Sequence, residues 1–232
     1  MTMRRALPCL LLAALVLSAC TDASSGRGYI VSSPHGGHRS TPTSPSVPSA
    51  PPGPPPPVDI PTETHTGKGN GSFTTAWPAG QPGYLTFDCP KCGSNIVIET
   101  DGEPFMPVNA IGRYHGTTWF NVPFRDKSVK TVTVSADAAW TATIADHRSL
   151  PQAELGKPMS GKGDTVLKIP PGAKSVKIAV KGEDHFAAWM TVGDTIDLVL
   201  NDIGTREVEV PMTGPAYLEL EAWAGSWTVT PS

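Results

Sequence analysis

The 232-residue sequence has few of the features that identify enzymes and metal proteins. It contains four cysteines and six histidines. Only Cys89 and Cys92, in "DCPKC", form a C-x-x-C pair. A structural zinc centre commonly needs two such pairs, and there is no second. No G-x-S-x-G, no H-E-x-x-H and no phosphate-cradling glycine loop occurs. Outside the N-terminal quarter the histidines are His65, His115, His147 and His185, scattered among expected loops. The expectation is a non-catalytic chain without a cofactor or a resident metal. Basic residues are not in excess: 18 Lys and Arg stand against 21 Asp and Glu. That excludes the electrostatic footprint of a nucleic-acid binder. Long stretches of 3.6-residue apolar period are also absent, which argues against a helical body.

One apolar run is present, Ala6 to Ala19, preceded by Arg4 and Arg5. It is too short for a membrane span of roughly 20 residues and has the layout of an export signal. It closes on Leu17-Ser18-Ala19-Cys20, which resembles the lipobox of bacterial lipoproteins. The resemblance implies residues 1–19 as a signal peptide and Cys20 as the lipidated first residue. Each buried CH₂ contributes about 0.8 kcal/mol, so two or more palmitate-type chains hold firmly. The expected location is the outer face of the cytoplasmic membrane, anchored through that lipid. Loss of Arg4 and Arg5 leaves 16 basic residues against 21 acidic ones, a formal charge of −5.

Residues 20–64 are poor in apolar residues and rich in Pro, Ser, Thr and Gly, as in "PTSPSVPSAPPGPPPPVDIP" (42–61). Such a segment cannot bury enough surface to offset chain entropy, so a disordered, extended tether is expected. His35 and His38 lie in it as solvated spacer residues. Beyond it, short alternating runs such as "TVLKI", "SVKIAV", "REVEV" and "AYLELEA" are separated by Gly, Pro and Asp turns. That pattern predicts an all-β body.

The body repeats. "GKGN" (67–70) returns as "GKGD" (161–164), "VNAIG" (108–112) as "LNDIG" (200–204), and "WTATI" (140–144) as "WTVTP" (227–231). Order and spacing are kept. Two tandem antiparallel β-sandwich modules of jelly-roll or Ig-like type are expected, at 65–147 and 161–232 with a linker at 148–160. Each has room for six or seven strands. The motifs resemble a β-sandwich repeat of actinobacterial lipoproteins in which an "N-x-I-G" corner and a closing "W-T" strand recur. The first copy there can carry "DCPKC". The resemblance implies the fold and a surface location, and no reaction.

Positions shared by the copies are expected to be structural, and positions that differ are freer to bind. Trp140 and Trp227 are shared and expected in the core. Asn109 and Asn201 are expected to form the corners. Asp194, Asp197, Asn201 and Asp202 match no calcium-loop spacing. Two tryptophans are not shared. Trp223, with Tyr217, falls on the polar face of "YLELEAW". Trp119 aligns with Glu207 when Phe120 and Val122 are set against Val208 and Val210. Trp119, Trp223 and Tyr217 are therefore the candidate ligand-binding residues, facing outward to stack on a cell-wall glycan or anchor an envelope protein. Burial against the neighbouring module or a loop is the alternative for them.

"DCPKC" has three readings. A thioredoxin-type site places C-x-x-C at a helix start, but both flanks here alternate like strands. A β-turn across Cys89-Pro90-Lys91-Cys92 brings the ends within disulfide range, so a clip is expected. Counting back from the corners puts Val180 and Glu183 at the equivalent places. A metal-handling pair of thiolates remains the alternative.

Overall fold

A computed structural model of the chain describes residues 59–122, 127–193 and 195–232, which belong to one unit, Pro52–Ser232. The expected export signal, Cys20, most of the expected tether with His35 and His38, and Asp194 lie outside the described residues.

The body is all-β. The first module contains β1 (Glu63–Lys68), β2 (Gly71–Thr74), β3 (Gly83–Cys89), β4 (Asn95–Thr100), β5 (Val108–Ile111), β6 (Tyr114–Phe120), β7 (Thr131–Ser135) and β8 (Ala139–Ala145). The second contains β9 (Met159–Lys162), β10 (Thr165–Ile169), β11 (Ser175–Lys181), β12 (His185–Val192), β13 (Thr195–Ile203), β14 (Arg206–Pro211), β15 (Ala216–Glu221) and β16 (Ser226–Pro231). Each module thus has eight strands, more than the six or seven expected. Among the described residues the helical content is one 3-10 turn, His147–Ser149, and no helix is long and apolar enough to cross a membrane.

Four antiparallel sheets pair into two sandwiches. The orders β1-β8-β3-β6 and β2-β7-β4-β5 build the first, and β9-β16-β11-β14 and β10-β15-β12-β13 the second. Strand by strand these are the same topology, so the sequence repeat is a repeat of structure. The shared motifs sit where the repeat needs them. Trp140 Nε1 donates to Gly69 O (2.9 Å), and Trp227 Nε1 donates to Gly163 O (3.0 Å). Both glycines have φ +71°, a left-handed turn conformation that excludes most side chains. Each indole packs against the first glycine of its "GKG". A Cβ on Gly67 or Gly161 would come within 2.3 or 2.2 Å of the ring.

The corner differs in detail from expectation. Asn109 and Asn201 lie within β5 and β13, and the left-handed residues are Gly112 (φ +82°) and Gly204 (φ +81°). Their N–H groups bond Ser94 O and Asp184 O.

Burial follows alternation where a sheet has one solvated face. In β7 and β11 alternate residues are buried. In β3, β6, β12 and β15 the pattern fails, with consecutive buried residues. These strands form the surfaces where the modules meet. Tyr84, Trp119, Val122, Leu150 and Val166 bury there together, with Trp189, Ile196 and Tyr217 packed against them. This cluster is separate from the core inside each sandwich. The connection between the modules is ordered along part of its length: Lys168 N–H bonds Pro151 O, Ala153 N–H bonds Lys168 O, and Leu150 and Ala153 are buried.

Candidate functional site

The disulfide joins Cys89 and Cys92, with Cα atoms 5.5 Å apart. Cys92 N–H closes the turn onto Cys89 O at 3.4 Å. Asp137 accepts from the N–H of Gly93 (3.1 Å), a hydrogen bond that holds its carboxyl below the usual carboxylate range. Cys89 sits on β3 where Val180 sits on β11, since Val180 pairs with Trp227 and the repeat sets Trp140 in the same place. Oxidised, both sulfurs are occupied with each other.

Trp119 requires a correction. Facing outward from its own sandwich, it is only 4% exposed because the second module covers it. The expected alignment was four residues off. Trp119 pairs with Tyr84 on β3, and the equivalent pair on β14 and β11 is Pro211 with Ser175. A shift of four preserves strand parity, so the direction was right and the exposure wrong. Tyr217 is also at the junction, its ring 5.9 Å from that of Tyr84. Trp223 is 44% exposed. It lies past the end of β15 in a left-handed conformation, φ +48°, an uncommon state for a bulky residue.

Asp164, the last residue of "GKGD", organises the junction. Its Oδ1 accepts from the N–H groups of Ala222 and Trp223, both at 2.8 Å, and so fixes the strained turn. Its Oδ2 accepts from Tyr114 Oη of the first module at 2.7 Å. In the first copy Asn70 caps Ala136 N–H in the same way. Asn offers an NH₂ where Asp offers a second acceptor, so the one change from "GKGN" to "GKGD" creates the acceptor for the bond between modules.

Glu219 of β15 lies opposite. Its Oε1 accepts from Thr118 Oγ1 (2.7 Å) and from Trp119 N–H (3.1 Å). Thr117 N–H donates to Asp164 O (3.1 Å). Two backbone donors of the edge strand β6, Thr117 and Trp119, are thereby satisfied by the second module. Burial pushes the Glu219 carboxyl up to about 8, with the Glu221 carboxylate adding to it, against the pull of the Thr118 and Trp119 donors. Burial also raises Glu221, whose Oε1 accepts from Trp189 Nε1 at 3.1 Å.

Between these groups lies a cleft of about 210 Å³, lined among others by Trp119, Trp189, Trp223, Asp164, Glu219 and Glu221. Two of the three expected ligand-binding residues, Trp119 and Trp223, are thus brought together; Tyr217 is not among the lining residues. Sequence reasoning missed Asp164, Trp189, Glu219 and Glu221. The one available signal was that each differs from its counterpart in the first copy. Of the residues weighed for calcium, Asp202 engages Arg206 and Ile203 N–H, and Asn201 meets His185. Among the described residues no three His, Cys, Asp or Glu side chains come together to hold a metal ion.

No family model matches the chain, and no curated protein matches it. Solved structures with some likeness include the CUB1-EGF-CUB2 domain of human MASP-1/3, at 10% identity over 78% of this chain and 97% of that one, TM-score 0.24. A conserved protein of unknown function from Pseudomonas aeruginosa has 13% identity over 74% of this chain and 79% of its own, TM-score 0.26. A turret protein of Sulfolobus turreted icosahedral virus has 12% identity over 75% of this chain and 98% of its own, TM-score 0.28. Such scores are far below those of chains that share a fold.

Proposed function

We propose that this is a lipid-anchored surface protein that binds a glycan or protein of the cell envelope in the cleft between its two sandwiches. The anchor rests on the export signal and on Cys20 in "LSAC". The observation that carries binding is the makeup of the cleft. Its tryptophans and carboxylates are residues that the other copy of the repeat lacks at the equivalent positions. Trp223 adds a half-exposed aromatic held in a strained backbone state by Asp164, and such strain concentrates at ligand clamps. Metal handling through Cys89 and Cys92 needs free thiolates, and the bridge removes both while it is intact.

Two measurements test the proposal. Radiolabelled palmitate fed to the producing cells should label the protein and fail to label Cys20→Ala. The exported chain should be retained on isolated cell envelope, and Trp223→Ala should reduce that retention severalfold without changing the unfolding midpoint. Equal retention of both proteins, or none of either, would remove the cleft as the binding site.

A further inference from the structure

We infer that the cleft takes an organic cation, an ammonium or guanidinium group seated among the indoles of Trp119, Trp189 and Trp223, with Asp164, Glu219 and Glu221 as its counter-charge. This rests on the binding reading above and names the chemistry of its ligand.

The copy-to-copy comparison is the first support. Trp189 pairs with Glu219 on β15, and the equivalent pair on β4 and β7 is Glu99 with Thr133. Continuing along those strands, Glu221 replaces Ser135, as Asp164 replaces Asn70. Each carboxylate in the cleft replaces a neutral residue of the first copy. Trp189 and Trp223 replace acids, Glu99 and Asp137. The second copy has exchanged negative charge, exposed at Asp137 and half-buried at Glu99, for indole and placed new negative charge beside it.

The second support is an incomplete charge balance. Glu219 is 5% exposed, and both of its hydrogen bonds fall on Oε1. Its Oε2 takes no hydrogen bond among the described residues. No Lys, Arg or His among them lines the cleft. Burial keeps Glu219 neutral, its ionised form would lack a counter-ion in the cleft, and a ligand cation would supply one. The three carboxylates do not converge as a metal site does. A charge spread over an organic head group reaches separated carboxylates and also gains from the faces of the indoles. The neutral state that burial favours for Glu219 adds a proton step. When the cation enters, Glu219 releases its proton to solvent, so affinity should rise as pH rises toward about 8. The groups that share this field are Asp164, Glu221, Tyr84 and Tyr114, with His185 acting on Glu221.

The test uses the full exported chain in detergent and follows its tryptophan indole N–H resonances. The probes are butylguanidinium, tetramethylammonium, neutral tert-butanol, calcium, N-acetylglucosamine oligomers, glucosamine oligomers and the peptides Ala-Lys-Ala and Ala-Arg-Ala. The expected result is saturable shifts with the two small cations and none with tert-butanol. Glu221→Gln should weaken binding about tenfold while keeping the bond to Trp189. Glu219→Gln should remove most of the pH dependence. The peptides and the glucosamine oligomers then distinguish a basic side chain from an amino sugar as the natural source. Shifts with N-acetylated oligomers alone, or with calcium alone, overturn the cation and leave a binding cleft. No shift with any probe also overturns the cation. Joined to absent envelope retention, it removes the binding reading as well.

Discussion

Glu219 on β15 and Thr118 on β6, one residue from each sandwich, are joined by a 2.7 Å hydrogen bond inside the junction. The carboxyl is held largely in its neutral form, so stability should depend on pH. Below about 4.5, the ordinary value, folded and unfolded chains are both protonated and the full stabilisation is present. As pH rises toward about 8 the unfolded chain ionises while the folded one resists, and stability falls. Urea unfolding from pH 4.5 to 8.5 should show this decline. Glu219→Gln, neutral throughout, should flatten most of it, leaving the slope of Glu221, which burial also raises.

Trp119 and Trp223 should behave oppositely. Trp119→Ala opens a void between the sandwiches and should cost about 3 kcal/mol, read as a lower midpoint or as separation of one unfolding transition into two. Trp223→Ala should leave stability within about 0.5 kcal/mol, since it removes a half-exposed side chain and leaves the Cβ and the turn as they are. Equal losses for the two variants would contradict this division of roles.

Gly67 and Gly161 should be intolerant of even one added methyl. Gly161→Ala drives a Cβ into the Trp227 ring, and the indole is fixed by its bond to Gly163 O. Overpacking of this kind costs about 1–3 kcal/mol. Gly67→Ala should match it, because the geometry around Trp140 is the same, and calorimetry of the two single variants would check this.

Asp164→Asn restores "GKGN" in the second copy. It keeps the cap on Ala222 and Trp223 through one oxygen and replaces the acceptor of Tyr114 by an amide. The expected loss is about 1 kcal/mol, and Tyr114→Phe should lose a similar amount. The double variant should lose less than the sum, since both remove one bond.

The Cys89–Cys92 bridge closes a four-residue turn and should contribute about 2 kcal/mol at most. Intact mass of the chain produced in an oxidising compartment should rise by about 2 Da on reduction, and the reduced chain should stay folded at room temperature, judged by far-UV circular dichroism. Val180, at the place of Cys89 in the second copy, indicates that the fold is built without the bridge.

The architecture was legible because the signals that encode it are local. Alternation in "SVKIAV" marks one buried face, and "GKG" with "W-T" encodes a glycine that makes room for an indole. The cleft was not legible, because the face of β15 carrying Tyr217, Glu219 and Glu221 has the pattern of a solvated surface. What covers it is another sheet, about a hundred residues away in the chain, and no periodicity in either strand reports that. The rule that shared positions are structural also has an exception. Ile111 and Ile203 occupy the same corner in both copies and are 80% and 68% exposed.

The two sandwiches meet through faces that do not correspond: the β1-β8-β3-β6 sheet of one against the β10-β15-β12-β13 sheet of the other. A contact of that kind has a direction and no intrinsic stopping point, since a third unit could dock on the second as the second docks on the first. The faces left over lack the residues this junction uses. Where the second copy would need Tyr84 and Trp119 it carries Ser175 and Pro211. Where the first would need Trp189, Tyr217 and Glu219 it carries Glu99, Thr131 and Thr133. The two copies therefore do not repeat this junction on their outer faces, and the described residues form one such cleft. On the proposed reading, a surface bearing many of these chains would gain grip through their number, one ligand group to one cleft.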